Sequence, residues 1–285
     1  MTVIGSCFYQ SEGDDARRQR RAREALLGLG GVTPVNLQFR DDSYRPDGLR
    51  TLAVLRQNSR TITRTSGRRK PIVSEMLDAL AAEASAGGSR YFAYVNADIE
   101  VTREAIDRIH GSGRGALSFC RVDVDAGTRA APAVQLNGID MIAIETVWWI
   151  RERRRFRPYI AGEACWDNVY AAILCSHARG EIVHHAPGIF HERHETSWHA
   201  GPFADYNGFL AALDAPYFTR WVTWVSRVRE QREAGVPADS EALLAEVFNG
   251  PLLSLAGRMR HVGRQARAHY RYRRLRAQFG RGSSA

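Results

Sequence analysis

YFAYVNADIEV, residues 91–101, decides the fold. Tyr91, Phe92, Tyr94 and Val95, residues of high strand propensity, run into Asn96-Ala97-Asp98, and the chain then turns polar. Tyr91, Ala93 and Val95 alternate with Phe92 and Tyr94, so both faces are apolar, as in a strand inside an α/β sheet. In open sheets the C-terminal ends of such strands border the ligand crevice. A carboxylate placed there, Asp98, is suited to a divalent cation, because magnesium or manganese in phosphate-transfer sites takes one or two protein carboxylates and completes its shell with diphosphate oxygens and water. Asp98 is equally readable as the N-cap of a helix in VTREAIDRI.

Working outward, KPIVSEMLDALAAEA (70–84) puts Ile72, Met76, Leu77 and Leu80 on one helical face, a crossover helix feeding a parallel strand. An opening strand (3–9), a solvated helix in SEGDDARRQRRAREALLGL with Ala22, Ala25, Leu26 and Leu29 inward, and the strand-like VTPVNLQF give the alternation of a nucleotide-binding α/β half. Arg40 to Arg69 is polar, and its SRTITRTSGRRK suits a loop around an anionic ligand or a plain surface loop. GALSFCRVDV (115–124) reads as a strand, AGTRAAPAVQLNG as a loop, and GIDMIAIE as a further strand. Trp166-Asp167-Asn168 opens a helix with an acidic first turn, and EIVHH (181–185) is a strand. From about Asp205 the pattern is helical, roughly 204–214, 217–233 and 238–248, followed by a basic amphipathic helix from Pro251 and a disordered GRGSSA.

At 285 residues with 44% hydrophobic content, the chain supports one large α/β domain plus an appendage and is not a disordered protein. Cys7, Cys120, Cys165 and Cys175 lack C-x-x-C spacing, and no secretory leader precedes them, so free thiols and a cytoplasmic location are expected. The longest apolar run, 141–150, contains Glu145 and is too short to span a bilayer. The formal charge of +9 sits in one place: residues 251–285 carry nine arginines and no acid, and the rest of the chain balances at 31 basic against 31 acidic residues. That stretch would bring the protein to an anionic surface, either the inner face of a membrane or a charged polymer.

Lys70-Pro71, N-A-D-I (96–99), G-I-D (138–140), P-Y-I-A-G-E-A-C-W-D-N (158–168) and I-F-H-E-R-H (189–194) resemble, in that order, the signature segments of GT-A-type glycosyltransferases over roughly residues 1–200. The resemblance implies a Rossmann-type mixed sheet flanked by helices (residues 1–203), with 204–285 as a helical extension. It implies a metal-dependent enzyme, with Mn2+ or Mg2+ as cofactor, that moves a sugar from a nucleoside-diphosphate donor to the hydroxyl of a glycan, a lipid-linked acceptor or a polymer, with inversion. Asp98 and His191 would hold the metal. Asn96, Asp98, Lys70, Arg64 and Asp140 would bind the donor, with Asn96 on the ribose and Asp140 on sugar hydroxyls. Asp167 would be the base, with Glu163 competing for that role, and Gly162 would let the backbone approach the sugar. Asn96 stands where the family's Asp-x-Asp motif has its first aspartate, a departure that bears on metal dependence.

Other readings stay open at this level. Six of the nine histidines fall between 177 and 199, and His185, His191, His194 and His199 are all placed to reach a metal if the chain folds back. His191 and His194 could instead make a zinc site, although H-E-R-H is not the helical H-E-x-x-H arrangement. Asp167 is also a candidate N-cap. Trp148, Trp149 and Trp166 are sugar-stacking or core residues. Arginines interleaved with Tyr270 and Tyr272 suit a nucleic-acid-binding protein or a transferase acting on DNA, and the missing aspartate suits a fold that persists without activity.

Overall fold

The computed structural model describes residues 1–126, 128–194, 201–235 and 240–250. The basic stretch 251–285, the terminal GRGSSA and His199 lie outside the described residues. The strands are β1 (Thr2–Ser6), β2 (Val32–Phe39), β3 (Arg50–Leu55), β4 (Tyr91–Val95), β5 (Ile99–Val101), β6 (Ala116–Val124), β7 (Ala133–Glu145), β8 (Glu181–Val183) and β9 (Ile189–Glu192). The helices are α1 (Gly13–Leu27), α2 (Ser59–Thr63), α3 (Val73–Ala86), α4 (Arg103–Gly111), α5 (Thr146–Glu152), α6 (Trp166–His177), α7 (Pro202–Leu213), α8 (Ala215–Glu233) and α9 (Ser240–Phe248). They fall into two units, each discontinuous in sequence: Met1–Arg56, Glu75–Arg155 and His177–Thr196 make the first, and Gln57–Ser74, Phe156–Ser176 and the chain from Ser197 make the second.

The first unit contains a mixed sheet in the order β3-β2-β1-β4-β7-β6-β9-β5, with β8 also paired to β6. β3, β2, β1 and β4 run parallel, and β7 is antiparallel between β4 and β6. Helices cover both faces. On one, Ala22 and Leu26 of α1 and Ala105, Ile106 and Ile109 of α4 pack with Ile4, Tyr91, Ala93, Val95, Leu117, Phe119 and Met141. On the other, Leu80 of α3 lies against Gly5, and Trp149 of α5 meets Phe92 edge-on at 6.0 Å between ring centroids. The chain leaves β1 through α1 on the first face and returns to β4, on the other side of β1, through α3 on the second. The β1–β4 seam is therefore a topological switch point, and the C-terminal ends of its strands mark the ligand crevice.

Local expectation and structure part company at several places. The polar stretch 40–69, read as a loop, carries β3 and α2, and β9 forms where no strand was expected, because each strand finds a partner in the sheet. Lys70-Pro71 does not open a helix: the residue before proline is pushed out of the α region, and Pro71 and Ile72 bridge Asn58 and Ile160 before α3 starts at Val73. The segment predicted as a loop becomes strand from Ala133, because Ala133 and Val134 pair with Asp123 and Val122 of β6. After Asp98 the chain forms β5 before its helix, and α4 begins at Arg103 with Thr102 in the N-cap position. Asp98 is therefore not that helix's cap.

In the second unit, α7 and α8 hold the segment before α6. Asn207, fully buried, accepts from the Ile160 amide (2.9 Å) and donates to the carbonyls of Ile160 (3.0 Å) and Ala164 (3.1 Å). Asp214 accepts from Arg157 (2.8 Å) and from the Tyr159 hydroxyl (3.0 Å). Tyr170 of α6 is ringed edge-on by Phe156, Tyr159 and Trp166. No helix among the described residues is long and apolar enough to cross a membrane, and the four cysteines are free thiols.

Gly5 is a packing constraint. A Cβ there would lie 2.3 Å from Leu80 Cδ2, and Leu80 is itself fully buried. Gly5→Ala is expected to lower unfolding stability by about 1–3 kcal/mol, measured by urea denaturation. Adding Leu80→Ala should cost less in that background than in the wild type, because the space opened relieves the clash.

Candidate functional site

The first unit gathers chemistry at one end of the sheet. β4, β6 and β9 all point the same way, and their C-terminal ends carry Asp98, Asp123 and His191. Asp98 lies in the turn just past β4, held where Ile99 N–H donates to the Asn96 carbonyl (3.2 Å). In β9, His191 is in register with Asp123 of β6 on one side and Ile99 of β5 on the other. His194 follows just beyond the strand.

Three donor atoms converge. Asp98 Oδ2 is 3.5 Å from His191 Nε2 and 3.4 Å from His194 Nε2, and the two ring nitrogens are 3.1 Å apart. Ligands about 2.1 Å from one ion lie roughly 3.0 Å apart when mutually perpendicular and roughly 3.4 Å apart when tetrahedral. The triangle has the edges of a face around a single cation. It grades from buried His191 through half-buried Asp98 to exposed His194, so two protein imidazoles and a carboxylate can close the inner side and leave the outer positions for oxygen ligands. Among the described residues this is the cluster with metal-ligand geometry.

Behind it runs a continuous polar chain. His191 Nδ1 is 2.9 Å from Asp123 Oδ1. Arg121 donates through Nε to the same oxygen (2.8 Å) and through Nη1 to Asp140 Oδ2 (3.0 Å). Asp140 accepts at its other oxygen from the Asn96 amide, and the Asn96 backbone N–H donates to the Asp140 carbonyl (3.0 Å). Asn96 and Asp140, both expected on the donor, thus sit together with their polar atoms engaged in this chain. Arg121 and Asp123 escaped the sequence reading. Their signal was available: two charges two residues apart, on one face of an otherwise apolar strand.

The electrostatics follow from burial against pairing. Burial would push the Asp98 carboxyl up, but hydrogen bonds from His191 and His194 overcome it and hold the group well below the usual carboxylate range. Burial would lower His191, but its bonds to Asp123 and Asp98 raise it from 6.5 to about 9. Asp123 is lowered against its own burial by His191 and Arg121. Asp140 is raised by burial, which outweighs the nearby Arg121.

The remaining candidates lie in the second unit. Lys70 Nζ donates to Glu163 (2.8 Å) and to the Gly162 carbonyl (3.2 Å), so the single lysine and the competing base form one partly buried ion pair. Gly162 and Cys165 flank it at φ +68° and +78°. Asp167 is half-buried in the first turn of α6. Arg64 terminates α2 in the left-handed region, φ 57°, with its side chain exposed. His185 packs against His184, ring centroids 4.1 Å apart and tilted by 47°, rather than joining the donor triangle. Trp148, Trp149 and Trp166 are buried in core packing, which removes the sugar-stacking reading.

No family model and no curated protein matches the chain. Among solved structures it is similar to S. aureus TarS 1-349 in complex with UDP-GlcNAc, with 11% identity, 99% of this chain and 91% of that chain covered, and a TM-score of 0.49. It is also similar to TarS 1-349 alone (10%, 99% and 91%, 0.47) and in complex with UDP (9%, 96% and 91%, 0.39). Likeness at these scores is too loose to carry function, which is argued from the side chains.

The pairing of Asp98 with His191 makes metal-free stability pH-dependent. His191 contributes fully below its unfolded value of 6.5 and loses that contribution as pH rises through about 9; Asp98 contributes above its unfolded value of 3.8 and loses it in acid. Unfolding midpoints in chelator are therefore expected to fall from pH 6 to pH 9.5. The slope should be shallower in His191→Gln.

Proposed function

We propose that this protein is a metal-dependent glycosyltransferase that moves a sugar from a nucleoside-diphosphate donor to an acceptor hydroxyl, with inversion. The observation that carries the reading is the Asp98–His191–His194 triangle, set where strand ends face the crevice beside the β1–β4 switch point. A carboxylate and two imidazoles suit Mn2+ better than Mg2+, whose preferred shell is oxygen alone. Bound there, the ion would supply positive charge to the diphosphate oxygens as the leaving group departs.

The protein's own groups do the rest. Asp98, His191 and His194 would hold the cation, which would supply positive charge beside the diphosphate. Asp167 accepts the proton of the acceptor hydroxyl as that oxygen bonds to the anomeric carbon and the bond to the diphosphate oxygen breaks on the opposite side. One displacement gives one inversion. Glu163, paired with Lys70, is the alternative base, and Lys70 and Arg64 supply cationic charge for the donor. The arginines of 251–285 suit an acceptor presented on an anionic surface, whether glycan, lipid-linked sugar or polymer.

A thermal-shift panel of nucleoside diphosphates with Mn2+, Mg2+ or chelator tests the donor site. One nucleotide should raise the midpoint with Mn2+, less with Mg2+ and least in chelator, and Asp98→Ala should abolish the metal-dependent part. Two-histidine, one-carboxylate sites also hold iron in oxygenases; stabilisation by Fe2+ with no response to any nucleotide would transfer the site to that class. Asp167→Asn is expected to cut sugar transfer about 10²–10⁴-fold with nucleotide binding retained. Unchanged transfer would remove Asp167 as the base.

A further inference from the structure

We infer that Asp123 is a positioning residue of the metal centre. It presents His191 to the cation in one tautomer and one ring orientation, and Arg121 locks it in place. The inference rests on the metal reading of the Asp98–His191–His194 triangle and concerns residues that do not touch the ion.

The geometry has three parts. Asp123 Oδ1, 2.9 Å from His191 Nδ1, accepts that nitrogen's proton, which leaves Nε2 as the lone pair facing Asp98 and His194. The separation of the two residues is not set by flexible side chains alone, because Asp123 and His191 are register partners in adjacent parallel strands. Finally, Asp123 cannot rotate away cheaply. It is buried, and the same oxygen accepts from Arg121 Nε at 2.8 Å while Arg121 is held from the other end by Asp140. His191 is the ring carried within a paired strand, whereas His194 lies just beyond β9.

A purely structural ion pair would also place Arg121 between two aspartates. What distinguishes the two is the metal. A structural pair leaves cation affinity unchanged when Asp123 is altered in a folded protein, whereas an orienting carboxylate contributes about 10–100-fold to it. Asp123→Asn keeps the shape and an acceptor oxygen for Nδ1–H but loses the charge, so it should fall between wild type and Asp123→Ala.

The experiment is Mn2+ binding to the full chain without nucleotide, followed by calorimetry and by pulsed EPR for nitrogen couplings from bound imidazole. Circular dichroism and thermal melting serve as the fold control. Wild type should bind with imidazole couplings, Asp123→Ala should weaken binding about 10–100-fold with altered couplings, and Asp123→Asn should weaken it less. If Asp123→Ala does not fold, the folded Asp123→Asn decides. Folded variants with wild-type affinity and couplings overturn the positioning role while leaving the metal centre intact. Wild type that binds no Mn2+, like Asp98→Ala run beside it, overturns the metal reading and this inference together.

Discussion

Two imidazole nitrogens and a carboxylate oxygen face one another at 3.1–3.5 Å, a contact that is favourable only with a proton or a cation among them. A protonated His191, raised to about 9 by its bonds to Asp123 and Asp98, meets that need, and the same three atoms have the spacing of ligands around one cation. The sheet is built to enforce the encounter. Asp123, His191 and Ile99 form one lateral row across β6, β9 and β5, so backbone hydrogen bonding fixes the distance between the orienting carboxylate, the ring and the turn that carries Asp98. Strands spaced about 4.8 Å apart leave little freedom for such a row to drift.

Much of this was legible in the sequence. Residues 91–95 read as a strand buried on both faces because their apolar alternation needs no partner to be recognised, and Asp98 follows that run where it ends abruptly. The start of α6 at Trp166 was equally local, with an acid in the first turn where the helix dipole favours it. What failed was non-local. The strand character of residues 133–137 comes from pairing with β6, and β5 exists because β9 arrives beside it; nothing within either segment announces a partner. Arg121 and Asp123 were hidden for another reason: in a sequence with one lysine and abundant arginine, a further Arg-Asp pair carries little weight until its register is known.

The second unit solves a different problem, that of holding an irregular segment still. Residues 157–165 contain two left-handed backbone positions and no long run of regular structure, yet they are pinned by two side chains, one in the middle of α7 and one at its C-terminal cap. Asn207 serves the backbone of Ile160 and Ala164, and Asp214 serves Arg157 and Tyr159. Glu163 is thereby presented by a pinned segment, its carboxylate matched to Lys70. A buried asparagine that replaces missing backbone partners makes the segment depend on a helix more than forty residues downstream.

The same dependence on late-arriving chain governs how the molecule is made. In the sheet path β5 lies at an edge beside β9, with Ile99 waiting for His191 and Asp98 waiting for His191 and His194. As the polypeptide leaves the ribosome, strands β1 to β4 and then β6 and β7 can pair while β5 is still unmatched. The Asp98–His191–His194 corner is thus the last part of the sheet to close, and a nascent chain cannot bring its three side chains together until nearly 200 residues have emerged.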